Sequence, residues 1–150
     1  MAKFVYRMQN ILDIKQKLET QARMTFALAN RRYMEEQQVL QEQLVRRMGY
    51  EKKLRESMEG EIRVQAVMNA RSDLNAMRTI VRRQMMEVHK AEREMEDARR
   101  ALNEVMQERK VQEKLREKAF DAFKKELADA EIKEIDELVS YTFNEREGVV

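Results

Sequence analysis

Apolar residues in the first third of the chain recur at the spacing of one helix face. From residue 18 to residue 48 they follow steps of four, four and three, with Gln37 as the polar exception: Leu18, Ala22, Phe26, Ala29, Tyr33, Gln37, Leu40, Leu44 and Met48. This spacing predicts one long helix from about residue 4 to about residue 58. The 11-residue repeat favours straight or slightly right-handed winding over a left-handed supercoil.

The second half of the chain carries a more regular seam. Steps of three and four connect Leu74, Met77, Val81, Gln84, Val88, Ala91, Met95, Ala98, Leu102 and Val105. Arg109 and Gln112 then fall on this seam, and an apolar track resumes at steps of four with Leu115, Ala119, Phe123 and Leu127. A heptad seam is typical of knobs-into-holes packing, and the change of step indicates a stutter. We predict a second helix over about residues 73–140.

Residues 59–72 separate the two periodic segments and are expected to form a short helical turn that folds over the end of the pair. Gly60 is the expected left-handed cap of the first helix, and Ser72 or Asp73 the expected N-cap of the second. A short connection makes the helices antiparallel. The predicted fold is therefore all-α, with two long helices in an antiparallel two-stranded coiled coil.

The antiparallel arrangement also predicts a register. A turn centred near residue 65 brings Leu40 opposite Ala91 and Phe4 near Leu127. Residues beyond about 130 then overhang the first helix, and residues 141–150 form a tail. We expect residues 1–150 to form one coiled-coil domain.

Composition agrees with long helices and limits the possible partners. The chain has no Pro, 3 Gly and 39% charged residues, and most of the rest are good helix formers. The net charge of +2 gives no strong reason to expect nucleic acid or an anionic membrane surface. Cys is absent, and the N-terminus lacks the apolar stretch of a signal peptide. A cytoplasmic protein without direct membrane insertion is expected.

Candidate catalytic chemistry is sparse. The three glycines rule out Gly-rich phosphate loops, and the single histidine, His89, follows a seam residue and should face solvent. A two-helix pair offers no enclosed pocket in which carboxylates could acquire separated pKa values. We therefore expect no enzyme activity, no catalytic or metal-binding residue and no cofactor.

A local basic cluster consists of Arg71, Arg78, Arg82 and Arg83. A solvated, salt-bridged face is the simplest interpretation, and an acidic protein partner is the main alternative. Nucleic-acid binding is a further alternative, although no aromatic residues interleave with the arginines to stack bases.

Both ends of the chain carry more apolar residues than one seam can bury. Phe4, Tyr6 and Met8 lie near the N-terminus, and Ile132, Ile135 and Val139 form a helical stripe near the C-terminus. An exposed apolar stripe predicts insertion into a groove of another protein. The alternative is a local fold-back of the C-terminal stripe against the N-terminal residues.

The same two ends resemble the FliJ family of flagellar export proteins. The opening KFVYRMQNILDIKQKLETQA has the family's pattern of an aromatic residue, Arg-Met-Gln, an aliphatic-Leu pair, Lys and Glu. The segment KLREKAFDAFKKELADAEIKEIDEL is similar to the family's C-terminal signature. The resemblance covers nearly the whole chain.

The resemblance implies a non-catalytic adaptor or chaperone of the flagellar type III export apparatus, peripherally associated with the inner membrane at the flagellar base. It implies three partners: the export ATPase hexamer, entered by the chain termini; the membrane export gate protein; and export chaperones. By register, the gate contact falls at Met77, with Ile80 and Gln84 nearby. The alternative function is a generic self-associating structural coiled coil.

Overall fold

The structure is a computed structural model that describes residues 2–148. Over this range the chain forms two α-helices and no strand, with α1 at Gln9–Ser57 and α2 at Val64–Glu147. The prediction of an all-α fold with two long helices is confirmed.

The helix boundaries differ from those expected. α1 begins at Gln9 rather than near residue 4, and Phe4 and Tyr6 lie in a non-helical segment that contacts α2. α2 begins at Val64, so Ser72 and Asp73 are interior helical residues and not N-caps. Residues 64–73 contain no Gly or Pro and propagate the helix readily. α2 also continues through most of the expected tail, to Glu147, and residues 149 and 150 lie outside the described range.

The connector is therefore limited to residues 58–63. Amides of Met58 and Glu59 donate to carbonyls three residues earlier, which tightens the end of α1. Gly60 follows with φ at 71°, the left-handed conformation expected of it. The apolar side chains of Ile62, Val64 and Met68 are exposed, so the expected packing of this stretch over the helix pair does not occur.

Contacts divide the chain into two compact units. The terminal unit comprises Met1–Glu19 and Val105–Val150, and the middle unit comprises Thr20–Glu104. Each contains a segment of both helices. The folding of residues 1–150 as one domain stays a prediction.

In the middle unit, α2 buries the heptad seam that its sequence indicates. Its buried residues here are Leu74, Met77, Val81, Gln84, Ala91, Met95 and Ala98. The inward face of α1 also follows steps of three and four through Ala22, Phe26, Ala29, Tyr33, Glu36, Leu40, Gln43 and Arg47, which are less exposed than their neighbours, and the predicted seam residue Leu44 beside Gln43 is partly buried as well. The predicted 11-residue repeat of α1 is wrong, because Gln37 and Met48 face solvent and Glu36 and Arg47 replace them.

Contacts between the helices of the middle unit fix an antiparallel register. Glu36 accepts hydrogen bonds from Gln84, and Arg32 pairs with Glu94 at 2.8 Å. Because steps along antiparallel helices run in opposite directions, residue 40 faces about residue 80. The predicted opposition of residues 40 and 91 is wrong, since the connector is centred near Gly60 and not near residue 65.

In the terminal unit the heptad spacing of α2 continues through Arg109, Gln112, Ala119 and Phe123, which are all partly buried. The expected stutter is absent from this range: Leu115 is exposed, and the neighbouring Arg116 contacts the N-terminal segment instead. On α1, Leu12 and Glu19 are buried.

Candidate functional site

The N-terminal segment of the terminal unit is held against α2 by aromatic contacts. The ring of Phe4 lies 5.0 Å from that of Phe120 in an edge-to-face arrangement and 5.5 Å from that of Phe123. The guanidinium of Arg116 lies 5.8 Å from the Phe4 ring. Phe4 therefore packs at Phe120 and Phe123, earlier on α2 than the predicted contact with Leu127, consistent with the earlier connector.

Polar contacts extend this attachment. The Tyr6 hydroxyl donates to Gln112 Oε1 at 3.4 Å, and Arg116 Nε donates to Gln9 Oε1 at 3.0 Å. Of the predicted N-terminal docking residues, Phe4 and Tyr6 are thus partly buried within the chain, whereas Met8 is exposed.

An open apolar groove of about 590 Å³ lies beside the attached segment. Its lining includes Phe4, Val5 and Met8 from the N-terminal segment and Leu115 and Phe123 from α2. The groove shows that the N-terminal segment leaves apolar surface uncovered at this end of the terminal unit.

A buried ion pair lies farther along the terminal unit. Arg109 Nε contacts Oε2 of the buried Glu19, and Arg109 Nη1 donates to Glu113 Oε1 at 2.8 Å. The hydrogen bond to Glu113 contributes most to raising the pKa of Arg109 above its ordinary value; burial opposes this, and Glu19 adds to the rise. Two carboxylates thus compensate a cation on the seam.

The C-terminal segment, residues 124–147 of α2, is helical but exposed at every position. The predicted docking residues Ile132, Ile135 and Val139 have relative exposures of 58%, 59% and 62%. The alternative of a fold-back against the N-terminal residues therefore does not occur within residues 2–148.

Four of the exposed apolar residues of this segment lie on one helix face, whereas Leu138 and Tyr141 are exposed on the other side. Steps of three, four and four connect Ile132, Ile135, Val139 and Phe143, which we call the terminal stripe. The segment is acidic overall: residues 124–147 contain eight Asp or Glu and four Lys or Arg. The segment is thus a net acidic helix with an apolar stripe along one face.

The three residues predicted for the gate contact do not share one environment. Met77 and Gln84 are buried in the middle unit, where Gln84 Nε2 donates to the Glu36 carbonyl at 2.9 Å and to Glu36 Oε2 at 2.5 Å. Ile80 is exposed. Only Ile80 among them is accessible to a partner.

His89 has an ordinary surface environment. Its Nδ1 lies 3.6 Å from Glu92 Oε2, and its side chain is largely exposed. Residues 2–148 contain no group of three or more potential metal-binding side chains. Over the same range, neither helix combines the length and apolar character needed to cross a bilayer.

Comparison with known families identifies the group to which the chain belongs. A family model described as flagellar FliJ protein matches residues 4–148. The chain belongs to the FliJ family. No curated protein and no solved structure gives a significant match. As a FliJ-family protein, the chain has a role associated with flagellar type III export, and the family is a non-catalytic component of that apparatus.

Sequence reasoning missed two inward-facing acids of this FliJ-family chain, Glu19 and Glu36. Each lies one residue from the position assigned to the α1 seam, Leu18 and Gln37. A strict heptad extended in both directions from Phe26 would have found both residues: Glu19 before it and Glu36 after it. Because Glu19 and Glu36 are charged, the neighbouring Leu18 and Gln37 were predicted as the α1 seam positions instead.

Proposed function

We propose that this chain is a cytoplasmic adaptor that couples the flagellar export ATPase to the membrane export gate and helps in chaperone handling. Its site of action in this proposal is the flagellar base, at the periphery of the inner membrane. The observation that carries the proposal is the C-terminal segment, a helix without an intramolecular partner among the described residues and with its apolar side chains exposed.

The terminal stripe supplies the driving force for an ATPase contact. Complete burial of an exposed aliphatic side chain contributes about 1.5–3 kcal/mol, and these side chains are already about 40% covered by their own helix. Ile132, Ile135 and Val139 together would contribute about 3–5 kcal/mol. Such a contribution matches a helix that lies in a groove of a partner.

The N-terminal residues have a different part in this proposal. Phe4 and Tyr6 attach the N-terminal segment to α2, so that Met8 and the neighbouring groove remain beside the packed rings. We infer that Met8 contributes directly to the ATPase contact, while Phe4 and Tyr6 position it.

For the gate contact, burial separates two roles. Met77 and Gln84 hold the register of the middle unit, because a partner cannot reach side chains that α1 covers. Ile80 is the accessible residue, and we propose it as the apolar anchor of the gate contact.

Binding of the purified chain to the flagellar export ATPase tests the terminal contact. The variant Ile135→Gln/Val139→Gln keeps good helix formers and removes apolar area. We expect it to weaken ATPase binding at least tenfold. The control Met24→Gln/Leu28→Gln removes two equally exposed apolar side chains with the same spacing in the middle unit. Equal losses in both variants would refute the terminal contact.

Binding to the cytoplasmic domain of the export gate protein tests the second contact. We expect Ile80→Gln to weaken this binding severalfold and to leave ATPase binding unchanged. Val45→Gln, at another exposed aliphatic position of the middle unit, is the matched control. Unaltered gate binding by the Ile80 variant would remove Ile80 from the proposal without affecting the terminal contact.

A further inference from the structure

The outer face of α2 in the middle unit carries arginines that have no counterion within the described part of the chain. Arg71, Arg78 and Arg82 are exposed and recur at steps of seven and four, which places them on one side of the helix. Among residues 2–148, no carboxylate lies within ion-pair distance of any of the three, although Arg32, Arg47 and Arg109 all have such partners. The solvated part of the simplest interpretation therefore holds for these arginines, whereas salt bridges are not formed by them within residues 2–148.

Exposed methionines flank the same arginines. Met68 and Met86 have relative exposures of 61% and 72% and lie on the same side of α2. We call Met68, Arg71, Arg78, Arg82 and Met86 the arginine–methionine face. Its flexible apolar side chains adapt to an apolar partner surface, while the guanidinium groups provide hydrogen-bond donors for carboxylates.

The acid content of this region is low. Residues 64–86 contain four Arg and a single acid, Asp73. Asp73 follows Arg71 by two positions and so lies on the opposite side of the helix. The face thus presents positive charge and methionine without an acid of its own.

The C-terminal segment has the complementary properties. It is acidic, with Glu131 and Asp136 beside the terminal stripe, and its apolar residues are uncovered. Its 24 residues are about 35 Å long, and residues 64–86 span about the same length. Charge, apolar character and length therefore agree between the two surfaces.

We propose that the C-terminal segment of one copy of the chain docks on the arginine–methionine face of a second copy. The carboxylates beside the terminal stripe pair with Arg71, Arg78 and Arg82, and the stripe packs on Met68 and Met86. The two surfaces differ, so the contact is head-to-tail and leaves one free surface of each kind on a dimer. One helix face buries about 1,200 Å² in total, which is at the low end for specific complexes.

Such a contact has a consequence for partner binding. It covers the same terminal stripe that we propose for the ATPase contact, so the two are mutually exclusive. Self-association does not depend on the proposed export function, because it requires only the isolated chain.

Sedimentation velocity of the purified chain over a range of about 5–500 μM tests the proposal. We expect reversible association that weakens at least tenfold between about 0.05 M and 0.5 M salt, because the pairs are at the surface. The variant Arg78→Glu/Arg82→Glu should weaken association at least tenfold. The control Lys90→Glu/Arg100→Glu has the same change in net charge and should alter it less than twofold.

A mixing experiment tests the head-to-tail geometry. The variant Ile135→Gln/Val139→Gln keeps an intact arginine–methionine face, and Arg78→Glu/Arg82→Glu keeps an intact C-terminal segment. Each variant alone should associate at least tenfold more weakly than the unaltered chain, and an equimolar mixture should form a complex of one chain of each at concentrations where neither variant associates by itself. Circular dichroism establishes that both variants retain their helices.

Three results would overturn the proposal. The chain could remain monomeric over the whole concentration range, or the control variant could dissociate as strongly as the arginine variant. Failure of the mixture to form a complex, with both variants helical, would equally refute it. A monomeric chain that binds anionic lipid vesicles through Arg78 and Arg82 would assign the face to a lipid surface instead.

Discussion

Gly60 is the residue on which the geometry of the connector most depends. Its φ of 71° is strained for residues with a Cβ, whereas a Cβ built at this position meets no atom within 4 Å. Gly60→Ala therefore introduces conformational strain and no clash. The left-handed conformation costs about 1–2 kcal/mol with a Cβ. The lower entropy of the unfolded variant offsets about 0.4–1 kcal/mol. A net destabilisation of about 0.5–1 kcal/mol is expected.

Gly49→Ala is a matched substitution that should have the opposite effect on stability. It lies inside α1, and an added Cβ again meets nothing within 4 Å. In a helix interior Ala is favoured over Gly by about 0.8–1 kcal/mol, so Gly49→Ala should stabilise the chain by that amount. The two variants are thus expected to differ by about 1.3–2 kcal/mol although each adds one methyl group.

Urea unfolding followed by circular dichroism at 222 nm measures both variants. With unchanged slopes, the midpoint should fall for Gly60→Ala and rise for Gly49→Ala. Asn tolerates the left-handed region, so Gly60→Asn should lose less stability than Gly60→Ala. Stabilisation by both Ala substitutions would show that residue 60 is helical, and the assigned connector and register would then be wrong.

Three further predictions test the seam and its charges. Gln84→Ala should lower the free energy of unfolding by about 1–2 kcal/mol in urea titrations, because buried hydrogen bonds to Glu36 are lost. Engineered cysteines at positions 36 and 84 should cross-link within one chain under mild oxidation, whereas cysteines at 40 and 91 should not; the reverse result on a non-reducing gel would refute the register. The pKa of Arg109 is raised above its ordinary value, so its stabilising contribution is fully present at neutral and moderately alkaline pH and is lost only as the pH rises through the higher folded value. Between pH 7 and pH 10, thermal melts should therefore show the same change in stability with pH for the unaltered chain and for Arg109→Gln.

The seam of α2 could be predicted from the sequence because its inward positions are mainly apolar. Leu74, Met77, Val81 and Ala91 give the heptad directly, and Gln84 alone interrupts it over that range. The buried positions of α2 follow the same period as its apolar residues, so the sequence of α2 alone is enough to predict which residues form its seam. The exposed terminal stripe could be predicted for the same reason.

The seam of α1 could not be predicted in the same way. Glu19, Glu36 and Arg47 occupy inward positions, and charged residues are ordinarily assigned to solvent. Burial of Glu19 is possible because Arg109 compensates its charge, and Glu36 is satisfied by Gln84. These partners are far away in sequence, so the pattern within α1 gave no sign of them.

The register of each unit could not be predicted from the apolar periodicity either. The apolar run from Ile62 to Met68 suggested a long connector that covers the helix ends, and the predicted register was therefore centred near residue 65. The connector instead ends at residue 63, and the partner of each α1 residue lies earlier on α2. A shift of one whole heptad leaves the same seam residues facing the partner helix, so the apolar period does not determine the register.

The sequence by itself determined that the chain forms two long helices, that α2 packs through a heptad seam and that its C-terminal end is apolar on one face. Helix propensity and apolar period are local properties, which residues a few positions apart express. Only the tertiary structure decided which charged residues face inward, which of Met77, Ile80 and Gln84 remain accessible, and that Arg71, Arg78 and Arg82 have no counterion among residues 2–148. Burial and ion pairing depend on side chains that come from distant positions in the sequence. The free energies of desolvation and of charge pairing therefore arise only when the two helices pack together.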